Sequence, residues 1–264
     1  MRRNGPLALA FHVLFIGFIL APLAMVCLVS FTDKAYLSLP FDGASLRWYL
    51  ALIEQPEFLR ALQLSLLAAL TSATLATALA LPAALAIARR DFPGRDVINA
   101  VLLSPLLVPH VVLGVAFLRF FTGLGLSGGL PALILAHTVV VLPFALRLTM
   151  AACAGLDRRV EQAAASLGAR PFTVFRRMTL PLLTAGLSSG WILAFIHSFD
   201  ELTMTAFIAA PSTTTLPVWL YHQVEETITP LVASVSTLLI LGALGAMAVL
   251  ERLYGLDRIL AGRS

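Results

Sequence analysis

The sequence predicts an all-α integral membrane protein with six transmembrane helices and both termini cytoplasmic. Three observations predict it: apolar runs recur, charges are scarce, and the arginines gather on alternate sides of those runs. Of 264 residues, 59% are hydrophobic and only 12% are charged, with a mean hydropathy of +0.92. A soluble domain carries about 25% charged residues. Half that share, with apolar runs of roughly 20 residues, describes a chain whose solvent is lipid. The two cysteines, Cys27 and Cys153, lie in or at the end of apolar runs without metal-ligand spacing, so they read as small packing residues.

Six segments are long enough to span: Leu7–Ser30, Ala61–Ala88, Val97–Phe121, Leu130–Ala152, Thr184–Ile208 and Leu231–Leu250. The first follows Met1-Arg2-Arg3, but its apolar run exceeds that of a signal peptide and no small-residue cleavage pattern follows, so it reads as an uncleaved helix. Phe31 to Arg60 forms a loop in which Trp48 and Tyr49 suit a short interfacial helix, with a break at Gln55-Pro56. The second span is crowded with Ala69, Ser72, Ala73, Ala76, Thr77 and Ala80, which let helices approach closely. Pro22, Pro82, Pro105, Pro109 and Pro143 interrupt spans and predict kinks. Thr122 to Pro131 is a tight, uncharged, Gly-rich turn.

Orientation follows from the basic residues. With a cytoplasmic N-terminus, the inner side carries Arg2, Arg3, Arg89, Arg90, Arg95, Arg158, Arg159, Arg170, Arg176, Arg177, Arg252, Arg258 and Arg263. The outer side keeps Lys34, Arg47 and Arg60, together with Asp33, Asp42, Glu54, Glu57, Glu225 and Glu226. That asymmetry places both termini inside.

Absences exclude most chemistry. With Lys34 as the single lysine there is no phosphate loop, and no zinc-protease, Cys-x-x-Cys or Gly-x-Ser-x-Gly pattern occurs. Any ATP hydrolysis must come from another subunit. Ionisable residues inside the membrane are then the candidates. Asp200 and Glu201 fall in the fifth span, roughly 24 Å above Thr184, with His197 on the same helical face. Beside Trp191, Phe195 and Phe199 they suit a cationic, partly apolar solute; equally, they can sit solvated at the interface or bond a neighbouring helix. His110, following Pro109, can line a cavity or donate to the carbonyl that the kink frees. His137 reads as a packing histidine, and Arg147 as a residue that snorkels to the inner surface.

The remaining feature is the inner segment Asp157 to Pro181. Asp157 can cap a helix from Arg158 to about Leu167, with Val160, Ala163, Ala164 and Leu167 on one face. Gly168 suits a left-handed stop, and Pro171 can open a second short helix with Phe172, Phe175 and Met178 between arginines. Pro181 then closes the elbow at the entrance to the fifth span. A small-residue face admits a tightly closing partner. A basic helix on anionic lipid is the alternative, against which the alanines argue because they bury little area.

The elbow resembles the cytoplasmic loop of binding-protein-dependent ABC importer permeases: Glu-Ala-Ala, three residues, Gly, nine residues, an aliphatic, one residue, Leu-Pro. Gln162, Ala163, Ala164, Gly168, Met178, Leu180 and Pro181 occupy those places. Gln162 departs from the usual acid, so Glu161 would have to supply the expected salt bridge to the ATPase from about 100° around the helix. Arg47-Trp48-Tyr49, the Pro105–Pro109 stretch and Thr215-Leu216-Pro217 make the chain most similar to the second permease of spermidine/putrescine-type importers. The resemblance implies a MetI-like permease: residues 1–60 for the first helix and periplasmic loop, 61–250 for the core with the elbow at 157–181, and 251–264 for a cytoplasmic tail.

It also implies partners: two ATP-binding subunits holding ATP and Mg, a second homologous permease and a periplasmic solute-binding protein, all in a bacterial inner membrane. The chain itself would bind no cofactor, metal or nucleic acid, and lipid would surround it. The acids point to a polyamine; aminoethylphosphonate, thiamine or ferric iron would fit the same transporter class. A secondary transporter would need an inverted repeat and midplane ion ligands, neither of which is visible.

Overall fold

The computed structural model describes residues 5–40, 43–227 and 229–254, and the described residues contain helices and no strands. Arg2, Arg3, Arg258 and Arg263, expected on the inner side, Asp42, expected on the outer side, and the tail beyond Tyr254 lie outside them. In chain order the helices are α1 (Pro6–Val29), α2 (Arg47–Ile53), α3 (Pro56–Arg89), α4 (Arg95–Leu103), α5 (His110–Gly123) and α6 (Leu130–Ala154). Then come α7 (Arg158–Ser166), α8 (Pro171–Val174), α9 (Leu180–Phe199), α10 (Thr205–Ile208), α11 (Leu216–Glu226) and α12 (Pro230–Tyr254). A 3-10 turn at Ser104–Leu106 follows α4, and a π-helical turn at Phe175–Thr179 joins α8 to α9. Among the described residues five helices are long and apolar enough to span a bilayer, or six if the bent pair α4 and α5 counts as one.

Two expected spans differ from the sequence reading. Val97–Phe121 is broken: α4 with its 3-10 turn and α5 meet at 102° across Leu107–Pro109. Pro105 and Pro109 fall where a straight helix would need their missing N–H groups. Pro22, Pro82 and Pro143, expected to kink, sit inside continuous helices. Thr184–Ile208 is shifted: the helical path begins at Pro171, passes the π turn and ends at Phe199, with α10 as a separate single turn. Pro181 therefore does not close the elbow; it follows directly on the π turn, inside the helical path that continues to Phe199.

The described residues divide into two compact units, the first made by those up to Arg60 with those of Trp219–Val249, and the second by Ala61–Val218 with residues 250–254. In the first, Ser30 is fully buried and its hydroxyl lies 2.6 Å from the Tyr49 hydroxyl, while Ser234 donates to the Ser30 carbonyl at 3.3 Å. Arg47 and Trp48 donate to the carbonyls of Asp33 and Lys34, so α2 holds the loop after α1.

In the second unit α3, α6 and α9 share one core. Ala73, Ala76, Ala80 and Ala84 of α3 pack with Val141, Ala145 and Leu146 of α6 and Leu183 and Ala194 of α9. Small residues permit the approach: a Cβ on Gly190 would lie 3.1 Å from the Ala145 carbonyl oxygen, and one on Gly186 would collide with the Ala152 methyl. Ser72 of α3 donates to the Ile134 carbonyl at 3.1 Å, and Trp191 of α9 to the Thr74 hydroxyl at 3.1 Å.

Candidate functional site

The elbow folds from local signals. Asp157 is extended, and its carboxylate accepts the Arg159 N–H at 2.9 Å, capping α7. At the other end the Gly168 N–H donates to Ala165 and the Ala169 N–H to Ala164, at 2.9 and 3.1 Å. That reciprocal pair is a Schellman stop, and it requires the left-handed φ of +83° that Gly168 adopts. Pro171 then starts α8. Gln162, Ala163, Leu167, Gly168 and Phe172 are exposed, Ala164 and Met178 are half-buried, and Val174 and Thr179 are buried. The face turned outward is small or apolar, with Arg176 and Arg177 exposed nearby.

Glu161 does not join that face. Arg89 Nη1, at the last residue of α3, donates to both carboxylate oxygens at 2.7 and 2.9 Å, and the Thr179 hydroxyl donates to Oε1. The acid expected to reach an ATPase is engaged inside its own chain. Beside it lies an open pocket of about 690 Å³ lined by residues that include Arg89, Arg90, Glu161, Gln162, Phe175 and Thr179.

The acids of the fifth span part company. Asp200 is the exposed C-cap of α9, and Glu201 lies beyond the helix and is only 6% exposed. One Glu201 oxygen accepts the Met204 N–H at 2.6 Å; the other lies 2.7 Å from His110 Nδ1. Glu201 thereby joins the start of α10 to the first residue of α5. His110 bonds this carboxylate rather than a carbonyl freed by a kink. His197 does not share its setting with Glu201: it is exposed and stacks on Phe144, with centroids 3.9 Å apart. His137 is buried, with Ser198 Oγ 2.8 Å from Nδ1 and Thr205 Oγ1 2.9 Å from Nε2. Sequence reasoning missed Arg89 and Thr179, for which nothing local signalled a partner.

The inner membrane component family of binding-protein-dependent transport systems matches residues 76–254, and the chain belongs to that family. It is an ABC importer permease subunit of the MetI type rather than an enzyme, and a multi-pass membrane protein. Among relatives, the spermidine/putrescine transport system permease protein PotC of Escherichia coli (strain K12) is 29% identical over 256 residues, covering 97% of this chain and 94% of its own. The putrescine transport system permease protein PotI of the same strain is 32% identical over 249 residues, covering 92% and 88%. The molybdenum transport system permease protein ModB of Mycobacterium bovis is 35% identical over 246 residues, covering 85% and 91%. In fold, the chain is similar to a subunit of a bacterial ABC transporter involved in the import of alginate, with TM-score 0.77, 14% identity and coverage of 95% and 96%. A chain of the inward-facing MetNI methionine ABC transporter matches with TM-score 0.58 and 19% identity, covering 78% and 96%.

The two neighbouring acids make a testable contrast. Glu201→Ala leaves the Met204 N–H and His110 without their acceptor, a loss of about 1–3 kcal/mol for a buried group. The thermal unfolding midpoint of the detergent-purified chain is expected to fall, while Asp200→Asn leaves it unchanged. Equal midpoints for the two variants would remove the structural role given to Glu201.

Proposed function

We propose that this chain forms half of the translocation pathway of an ATP-driven importer in a bacterial inner membrane, with both termini in the cytoplasm. A second homologous permease supplies the other half. Two ATP-binding subunits carry ATP and Mg, and a periplasmic binding protein delivers the solute. The observation that carries this reading is the elbow: a capped helix, stopped at Gly168, with Gln162, Ala163, Leu167 and Phe172 exposed. Gln162 stands where the family's usual acid would meet the ATPase, and Glu161 is held by Arg89, so contact at this position runs through the Gln162 amide and the small apolar face. Docking there lets nucleotide-driven movement of the ATPases bias two arrangements of the helices.

The solute we infer is a polyamine such as spermidine or putrescine. PotC and PotI support it, being similar over most of the chain. Exposed Asp200 adds negative charge that favours cations within a Debye length of about 8 Å, and exposed Glu225 and Glu226 do so separately on the other unit. His197, beside Phe144, and the His110–Glu201 pair complete the candidate pathway. The similarity to ModB gives molybdate a place in the test.

Two experiments check these readings. A Cβ at Gly168 would meet nothing within 4 Å in this chain, but at its φ of +83° a side chain brings about 1–2 kcal/mol of backbone strain, and it would obstruct a partner. In proteoliposomes of the complete transporter, Gly168→Leu is expected to insert normally and lose ATP-dependent uptake at least about tenfold. Undiminished uptake would refute docking at the elbow. For the solute, the cognate binding protein is expected to gain thermal stability with spermidine or putrescine. A shift with molybdate, thiamine, aminoethylphosphonate or ferric iron, and none with polyamines, would overturn the polyamine reading.

A further inference from the structure

The Arg89–Glu161–Thr179 cluster stands where three elements of one unit converge. Arg89 ends α3, Glu161 lies in the first turn of α7, and Thr179 is the last residue of the π-helical turn leading into α9. The Arg89 and Glu161 side chains are 18% and 23% exposed, so the pair is partly shielded from water. A neighbouring pair, Arg95–Asp91, is local, and its aspartate is 99% exposed. Each charge of the shielded pair also sits at the helix end that favours its sign: a cation at the C-terminus of α3 and an anion at the N-terminus of α7. Thr179 is buried, and its hydroxyl reaches the carboxylate from a π turn, a geometry that recurs at functional positions in helices.

Beyond the cluster, α3 and α9 enter the core they share with α6. We infer that Glu161 is a positioning residue: its carboxylate latches the elbow helix α7 to α3 and α9 together, so that a displacement of α7 is delivered to both at once. The latch rests on the reading that α7 meets an ATP-binding subunit, and it adds what that reading lacks, the joint between elbow and spans. The exposed face of α7 receives the partner; the opposite side, at Glu161, passes the motion inward.

The test uses the complete transporter with its binding protein in proteoliposomes, reading solute imported and ATP hydrolysed in the same sample. Glu161→Gln keeps the side chain's shape and removes its charge. It is expected to retain ATP hydrolysis but to lower solute imported per ATP by about fivefold or more. The reversed pair, Arg89→Glu with Glu161→Arg, is expected to recover at least half of that ratio. Recovery is partial because the reversed charges face unfavourable helix ends. A ratio within about twofold of the parent in Glu161→Gln would overturn the latch. If the single variants fail to assemble, the reversed pair decides: recovered assembly and ratio support the latch, and no recovery overturns it. The two failures are separable, because preserved uptake in Gly168→Leu removes the docking reading, whereas a preserved ratio in Glu161→Gln removes the latch.

Discussion

The Glu161 carboxylate accepts Arg89 from one helix and Thr179 from another, and the elbow's attachment to its own unit depends on that convergence. A helix as short as Arg158–Ser166 has little stability of its own, because nucleation consumes most of what a few hydrogen bonds return. Capping by Asp157 and the stop at Gly168 define its ends but not its position. Its position comes from the partly shielded ion pair and the Thr179 hydroxyl. With Glu161 held inward, Gln162 and Ala163 turn outward, and the surface left exposed carries an amide, a small residue and the apolar Leu167 and Phe172, with Arg176 and Arg177 nearby.

The same logic of satisfied polar groups governs the helix breaks. In a low-dielectric surrounding each freed backbone group must find an acceptor or donor. Glu201 serves the Met204 N–H and His110 after α9 ends, and Thr213 joins the loop near Ala210 to the Gly128 carbonyl. His137 satisfies both ring nitrogens with Ser198 and Thr205. These bonds hold the irregular segments around α10 between α5, α6 and α9. A buried carboxylate with this duty has less capacity to bind a passing cation than exposed Asp200 on the preceding residue.

Features written in neighbouring residues could be read from the sequence, and features made by distant ones could not. The cap at Asp157, the stop at Gly168 and the helix start at Pro171 each need only a few consecutive residues, and each stands as expected. The small-residue face of the second span announced close packing, and Ala69, Ser72, Ala73, Ala76 and Ala80 are fully buried. Hydropathy could not place the 102° bend, because Leu107 and Val108 are as apolar as the helices on either side. It also overran the end of α9, where no glycine or proline marks Asp200 and the C-cap is made by the Asp200 backbone N–H alone. Arg89 and Glu161 are 72 positions apart, so their pairing had no local signature.

In the proposed reading helix α7 carries two faces with separate duties, one toward a partner and one toward its own spans. Amide hydrogen exchange across residues 158–169 tests this most directly, since it reads the attachment of α7 in the purified chain without any partner. The account predicts exchange at least about tenfold faster in Glu161→Gln than in the parent, with protection returning when Arg89→Glu and Glu161→Arg are combined. Equal protection in the parent and Glu161→Gln would contradict it, because the elbow would then be held by something other than this carboxylate.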